Sequence, residues 1–115
     1  MKFLEKEDRP WGTFYVIHNE PMYKLKRIEV NPGSRLSYQY HKYRSEVWTI
    51  VEGMALVTLN GNEIKLKEGD SINIHANDKH RISNLDKSKL VFIEVQTGEY
   101  FGEDDIIRIE DDYNR

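Results

Sequence analysis

The residue types with the clearest chemical potential fall in two short segments. In the first, Gln39 and His41 are two positions apart, and Glu46 follows after four intervening residues. Side chains two apart on an extended chain project from one face, and Glu46 opens the next apolar run within reach across a short loop. The second segment spans 69–84 and contains His80. Because the chain has no cysteine, a metal could be bound only by imidazole, carboxylate, amide or backbone groups, and these segments supply them.

Each of these residues alone has a simpler interpretation. A single histidine is more often a surface residue or a satisfied core residue than a ligand, Gln39 could cap a turn, and Glu46 could be solvated. Only their joint spacing favours a shared site. His18 and His75 fit no such group and are expected to be exposed in loops.

The elements that must position these residues are predicted to be short strands. Runs rich in β-branched and aromatic residues alternate with turn residues, which is typical of a β-sandwich or small barrel. Asn60 and Gly61 lie between two such runs and favour a tight type I′ hairpin. A short helix is predicted over 103–112, where acidic residues fall in the favourable first turn. The predicted strands are 13–18, 23–30, 46–51, 54–59, 63–67, 71–74 and 89–96.

Length and composition restrict the class of protein. The 115 residues, with a net charge of −3, indicate one domain over 1–115. The basic residues are scattered and not interleaved with aromatic ones, so no nucleic-acid partner is expected. With no export signal and no apolar run of about 20 residues, no membrane association is expected, and the lack of cysteine fits a cytoplasmic location. Exposed edge strands in small barrels make a homodimer the expected assembly.

The two segments together resemble the paired motifs of the cupin superfamily. The spacings from 33 to 53 and from 69 to 84 are both those of the cupin motifs. The resemblance implies an all-β fold, a small antiparallel β-barrel of the jelly-roll type, to which the short C-terminal helix would be added. Carried over by position, it implies that one metal is bound by Gln39, His41, Glu46 and His80. The first of these positions is commonly histidine in cupins at large and is glutamine here.

Two imidazoles, one carboxylate and one amide oxygen form a mixed ligand set. Such a set suits Zn²⁺, Mn²⁺, Co²⁺, Ni²⁺ or Fe²⁺ without selecting strongly among them. Because only one ligand is anionic, a divalent ion would keep positive charge and open coordination positions. It would then act as a Lewis acid that polarises a carbonyl or stabilises an enediolate.

Three further stretches narrow the resemblance. They are the Arg-Pro-Trp-Gly sequence at 9–12, the segment 39–48, and the C-terminal segment 94–108 with Arg115 after it. All three resemble the type II mannose-6-phosphate isomerase domain, which is usually the C-terminal half of a bifunctional enzyme with a mannose-1-phosphate guanylyltransferase. Glutamine at the first ligand position is normal in that family. The resemblance implies interconversion of mannose 6-phosphate and fructose 6-phosphate, a step of GDP-mannose biosynthesis, with a sugar phosphate as the small-molecule partner.

Two departures from that family stand out. The guanylyltransferase half and its Gly-rich nucleotide loop are missing from the sequence, so no GTP chemistry is expected. Position 47 is valine, where the family often has histidine. Strand alternation places Val47 on the face opposite Glu46, which predicts a simple packing change, whereas an inward position would put activity in doubt.

The implied isomerisation needs a base and a group that binds the phosphate or the sugar hydroxyls. Lys26 is the first candidate for the base, because it shares parity with Ile28 and Val30 and burial would lower the pKa of its amine. A twist or bulge in the strand would instead leave Lys26 solvated. Arg44 is the candidate for the phosphate or hydroxyl contact, with a surface salt bridge as the alternative.

Other conspicuous side chains have structural interpretations. Arg108 and Arg115 are surrounded by acids and are expected to pair with them. Trp11 and Trp48 are expected to be core or interface aromatics. The tyrosines near His41, which could line the sugar site or merely cover the barrel mouth, are Tyr38, Tyr40 and Tyr43.

Two other functions remain open at this point. One is a non-catalytic cupin that holds a metal and binds a sugar phosphate or nucleotide sugar, which Val47 and the missing partner domain motivate. The other is a metal-dependent oxygenase, because a cupin fold alone does not fix the chemistry.

Overall fold

Two antiparallel sheets form the fold in the computed structural model, which describes residues 1–114. The first sheet has the order β1-β2-β3-β10-β5-β8 and the second the order β11-β4-β9-β6-β7. The strands are β1 Glu5–Arg9, β2 Gly12–Glu20, β3 Tyr23–Val30, β4 Tyr38–Tyr40, β5 Arg44–Glu52, β6 Ala55–Leu59, β7 Asn62–Leu66, β8 Ser71–Ile74, β9 His80–Ser83, β10 Leu90–Gly98 and β11 Ile107–Glu110.

The hydrophobic core lies between the inner faces of the two sheets. Alternation along strands such as β3 and β6 sends every second side chain inward, as with Ile28 and Val30 on β3 and Val57 on β6. Among residues 1–114 the two sheets are not joined into one continuous barrel, so the architecture is a jelly-roll sandwich. The all-β, cupin-type prediction is confirmed.

All seven predicted strands are present, and four more had not been predicted. β1 consists entirely of charged residues, so it carries no apolar alternation. β4 and β9 have only three and four residues, which is too short for a periodic signal. Their strand structure comes from pairing with neighbours, not from local propensity.

The helix predicted over 103–112 is wrong for most of its length. Only Glu103–Asp105 is helical, as a single 3-10 turn, and Ile107–Glu110 forms the edge strand β11. The β-branched residues of this segment and the free edge of β4 favour pairing, which outweighs acidic residues at a helix start. No helix within residues 1–114 is long and apolar enough to span a membrane.

The tight hairpin predicted at Asn60 and Gly61 is confirmed. The φ angles of the two residues are 49° and 83°, both in the left-handed region that a type I′ turn requires. The turn joins β6 to β7, whose pairing begins at Leu59 and Asn62.

Gly98 permits a close approach between the end of β10 and the segment that enters β5. It is the cross-strand partner of Arg44, and its φ is +145°. A Cβ atom at this position would collide with the carbonyl oxygen of Tyr43. Glycine is therefore needed here for two reasons, its backbone conformation and the absence of a side chain.

We expect Gly98→Ala to lower the free energy of unfolding by about 2 kcal/mol, because it adds a steric clash to an unfavourable φ. Gly69→Ala is the matched control, since Gly69 also has a positive φ of +88° but no atom within 4 Å of an added Cβ. The control should lose only about 1 kcal/mol. Urea unfolding of both variants checks this, and equal losses would contradict the role of the close approach.

Candidate metal centre

Three of the residues implied as metal ligands converge between the two sheets. Glu46 comes from β5 of the first sheet, His80 from β9 of the second, and His41 from the loop after β4. Their exposed fractions are 3%, 2% and 2%. One donor atom from each lies within 4.8 Å of the others. The structure thus brings together donors that are up to 39 positions apart in the sequence, between His41 and His80.

The donor atoms of His80 and Glu46 are arranged as a cation would require. The Nδ1 of His80 donates to the carbonyl oxygen of Asp78 at 2.8 Å, which leaves a lone pair on Nε2. That buried Nε2 has no hydrogen-bond partner and lies 3.9 Å from Oε1 of Glu46. Because buried polar atoms are almost always partnered, this unsatisfied lone pair fits a metal ligand.

Gln39 lies beside this cluster. On β4 it is the cross-strand partner of His80, and its Nε2 is 3.5 Å from Nε2 of His41. Its Oε1 accepts a hydrogen bond from the Ser37 hydroxyl at 2.5 Å. A half-turn of the amide would direct the oxygen to the cluster, and the hydroxyl of Ser37 could then accept from the amide nitrogen. The position of Gln39 is compatible with the fourth ligand role, which stays a prediction.

Arg44 is buried at the centre of the site and is not part of a surface salt bridge. Its Nε donates to Oε2 of Glu46 at 3.0 Å and its Nη2 to Nε2 of His41 at 2.8 Å. A third contact reaches the carbonyl oxygen of Phe101 at 3.4 Å. A cation bound by Nε2 of His41 would use the lone pair that now accepts from Arg44, whereas Nδ1 of the same ring lies 3.8 Å from Oε2 of Glu46.

Two buried carboxylates share one hydrogen-bond donor. The indole Nε1 of Trp48 lies 3.0 Å from Oε1 of Glu46 and 3.1 Å from Oε1 of Glu94. Burial and the negative charge of Glu94 raise the pKa of Glu46 well above its ordinary value. Burial also acts to raise the pKa of Glu94, but the charge of Lys26 and hydrogen bonds, including that from Gln96, outweigh it and lower this pKa. A bound divalent cation would favour the charged form of Glu46.

Both buried histidines are held neutral. Burial, followed by the charges of Arg44 and of His80, lowers the pKa of His41 to about 3. Burial also lowers the pKa of His80. Neutral imidazole is the form that binds metals.

A cavity beside the cluster is lined by Lys26. Its Nζ lies 4.3 Å from the centre of the Phe14 ring, and burial lowers the pKa of its amine. The prediction that Lys26 faces inward together with Ile28 and Val30 is therefore confirmed. Its role as a base stays a prediction. The β2–β3 pairing does shift register opposite Lys26, but the side chain stays inside.

Three further buried polar residues belong to this site and were not predicted from the sequence. Glu94 and Gln96 lie on β10 and line the cavity, and their parity with Leu90 and Phe92 on the same strand was a usable signal. Asp105 lies in the 3-10 helix, and its carboxylate accepts from the backbone N–H groups at positions 42 and 43, each at 3.0 Å. It fixes the loop that follows His41, and no local pattern indicates this.

Val47 and Arg108 face different sides of the sandwich. Val47 is 38% exposed on the outer face of β5, so it does not contact the site and its outward position is confirmed. Arg108 makes no hydrogen bond or ion pair with any residue of 1–114, so its predicted pairing with acids is wrong there. Its strand turns it towards the cavity, away from those acids. Arg115 lies outside the described residues.

The remaining aromatic and histidine predictions concern side chains around the site. Trp11 and Trp48 are buried in the core, as predicted. His75 is exposed in a loop, whereas His18 is exposed but lies within β2. The three tyrosines near His41 do not line the Lys26 cavity, and only one of them, Tyr43, is largely exposed.

Comparison with known proteins identifies the family. The family model described as "Mannose-6-phosphate isomerase C-terminal" matches residues 1–111. The chain belongs to this family. A mannose-1-phosphate guanylyltransferase from Klebsiella pneumoniae is 42% identical over 107 residues, which cover 93% of this chain and 23% of that protein. The chain therefore spans about a quarter of the length of the curated relatives that it matches.

Solved structures confirm the cupin fold of this family member. The cupin domain of Schizosaccharomyces pombe Cnp3 has a TM-score of 0.72 at 17% identity and covers 75% of this chain and 64% of its own. A putative sugar phosphate isomerase from Acidithiobacillus ferrooxidans has a TM-score of 0.62 at 22% identity, covering 66% of this chain and 50% of its own. At these identities the likeness concerns the fold alone.

We expect His80→Ala and Glu46→Gln to abolish stoichiometric binding of Mn²⁺ or Zn²⁺, because each removes a buried donor of the cluster. His75→Ala is the control, since it removes an exposed imidazole outside the cluster. Metal content after equilibrium dialysis and calorimetric titration measure the effect. Full occupancy in both cluster variants would show that the ligands lie elsewhere.

We expect the ring of His41 to stay neutral in the metal-free protein down to about pH 4, because its folded-state pKa is about 3. This value lies below the roughly 6.5 of an unfolded chain, so His41 contributes stability that is present above pH ~6.5 and lost as the pH falls through ~3. Ring nitrogen shifts in an NMR pH titration measure this, with His41→Gln to assign the signal. A midpoint near pH 6.5 would contradict the buried, neutral state.

Proposed function

We propose that the protein is a metal-dependent aldose-ketose isomerase that interconverts mannose 6-phosphate and fructose 6-phosphate through a cis-enediol. The observation that carries the proposal is the buried cluster with an unsatisfied His80 lone pair beside a cavity lined by Lys26. Membership of the mannose-6-phosphate isomerase family supports the choice of substrate. A role in GDP-mannose biosynthesis follows as part of this proposal.

The reaction moves one hydrogen between neighbouring carbons of an open-chain sugar. From mannose 6-phosphate, a base removes the proton on C2 while the aldehyde oxygen gains a proton, which gives the cis-enediol. The base then delivers its proton to C1 while the hydroxyl on C2 loses a proton and becomes the ketone. This lost proton balances the one that the aldehyde oxygen had gained. A divalent cation held by Gln39, His41, Glu46 and His80 would polarise the carbonyl and stabilise the negative charge that develops on oxygen.

Lys26 is the base in this proposal. Burial lowers the pKa of its amine, so the neutral form is more populated than at an exposed lysine. The neutral amine would accept the proton from C2 and, as the ammonium, return it to C1. Glu94, which is hydrogen-bonded by Trp48 and Gln96, would stabilise the charged form of Lys26 between the two transfers.

Arg44 would bind a sugar oxygen once its contact with His41 is released. In the structure its guanidinium bridges His41 and Glu46, so it already lies where the reacting end of the sugar would be. Its position between these two residues favours a hydroxyl or the developing oxyanion over a distant phosphate.

The non-catalytic alternative now has less support from position 47. Because Val47 lies on the outer face of β5, a histidine there would not enter the cavity in this structure. Binding of mannose 6-phosphate without turnover would still favour that alternative. Oxygen consumption with Fe²⁺ and indifference to hexose phosphates would favour a cupin oxygenase.

The assembly and location inferred from the sequence stay predictions. Each sheet ends in two edge strands, β1 and β8 in the first and β11 and β7 in the second, any of which could pair with a second copy. The homodimer and the cytoplasmic location are proposed on this and on composition alone.

We expect the metal-loaded protein to convert mannose 6-phosphate to fructose 6-phosphate, and Lys26→Met to lower kcat by about 10²- to 10⁴-fold, since proton transfer contributes that much to catalysis. Coupled spectrophotometric detection of fructose 6-phosphate measures both. Lys65→Met is the control, because Lys65 is an exposed residue of β7, and this variant should keep wild-type kcat. A Lys26→Met protein with wild-type kcat would exclude Lys26 as the base.

A further inference from the structure

Arg108 is distinguished from the other described arginines by its lack of an acidic partner. Within residues 1–114 there are six arginines, and the other five each form an ion pair with a carboxylate. The acids near Arg108 in sequence are engaged elsewhere, because Glu110 pairs with Arg35 and Arg81, and Asp112 pairs with Arg35. Arg108 is also an exposed residue, so its guanidinium is available to an anionic ligand.

The strand register directs Arg108 towards the predicted metal centre. Arg108 is the cross-strand partner of Gln39, and Gln39 is the partner of His80. Directly opposed residues in neighbouring strands project from the same face, with Cα atoms about 5 Å apart. The row from His80 through Gln39 to Arg108 therefore runs from the buried cluster to the open side. Arg108 lines the same cavity as Lys26.

We propose that Arg108 binds the phosphate group of the sugar phosphate at the mouth of this cavity. This inference deepens the proposed function and rests on it for the identity of the substrate. The reacting carbons and the phosphate occupy opposite ends of an open-chain hexose phosphate, just as the buried cluster and Arg108 occupy opposite ends of the row. A planar guanidinium can contact two phosphate oxygens at once.

Other cations near the cavity fit the phosphate less well. Arg44 is buried and already contacts Glu46 and His41 at the inner end. Lys24 lies on an adjoining wall that also includes Glu5, whose carboxylate pairs with no cation among residues 1–114 and would repel a phosphate. The acids on the wall shared with Arg108 are instead engaged, since Arg9 pairs with Glu103 and Glu94 is hydrogen-bonded inside.

The test compares Arg108→Gln with Arg108→Lys and with Arg27→Gln as the charge-matched control. Arg27 pairs with Glu29 on the outer face of β3, so its loss changes net charge equally without touching the cavity. Calorimetric titration of metal-free protein with mannose 6-phosphate measures binding without turnover. We expect Arg108→Gln to weaken binding at least about tenfold, Arg108→Lys to weaken it less, and the control to match wild type.

Kinetics of the metal-loaded protein provide the second measurement. Arg108→Gln should raise KM for mannose 6-phosphate at least about tenfold with little change in kcat, and leave kcat/KM for unphosphorylated mannose unaltered. Binding that depends on Arg108 without any turnover would support the phosphate site while refuting the isomerase. Equal affinities in Arg108→Gln, Arg27→Gln and wild type, or no binding by wild type, would overturn the assignment.

Discussion

The burial of one carboxylate, that of Glu46, is the constraint on which the site depends. With 3% exposure, this group could carry its charge only with compensating partners, because an unpaired buried ion costs several kcal/mol. The structure supplies the guanidinium of Arg44 and the indole N–H of Trp48. Even so, the pKa of Glu46 remains well above its ordinary value. A divalent cation would complete the compensation, so this incomplete pairing is a physical reason for the proposed affinity for such an ion.

Two of the three clustered residues lie on paired strands, and the third lies in a loop that contacts from other segments hold in place. Glu46 and His80 come from strands inside opposite sheets, where backbone pairing fixes their positions. His41 lies instead at the start of a loop, and Asp105 holds the next two backbone amides of that loop. Gly98 lets β10 approach the same segment. The C-terminal segment 98–105 therefore stabilises the candidate metal centre without contributing a residue to the cluster.

Prediction from the sequence succeeded where a residue's role follows from local alternation or from a family motif. Parity placed Lys26 inside and Val47 outside, and the motif brought His41, Glu46 and His80 together. It failed where pairing between distant segments decides the outcome. The segment predicted as a helix became β11 because the edge of β4 was free to pair with it.

The same limit explains why the role of Arg108 had to be inferred from the structure. Its sequence neighbours are acidic, so a local interpretation favours salt bridges. In the folded chain Glu110 and Asp112 pair with Arg35 instead. Strand pairing places Arg108 opposite Gln39. The cavity therefore has the lone pairs of the candidate metal ligands at its inner end and the unpaired guanidinium of Arg108 at its outer end. With a cation bound by the cluster, a ligand with a carbonyl at one end and a phosphate at the other would match both ends of the cavity, because the cation would polarise the carbonyl while Arg108 contacts the phosphate.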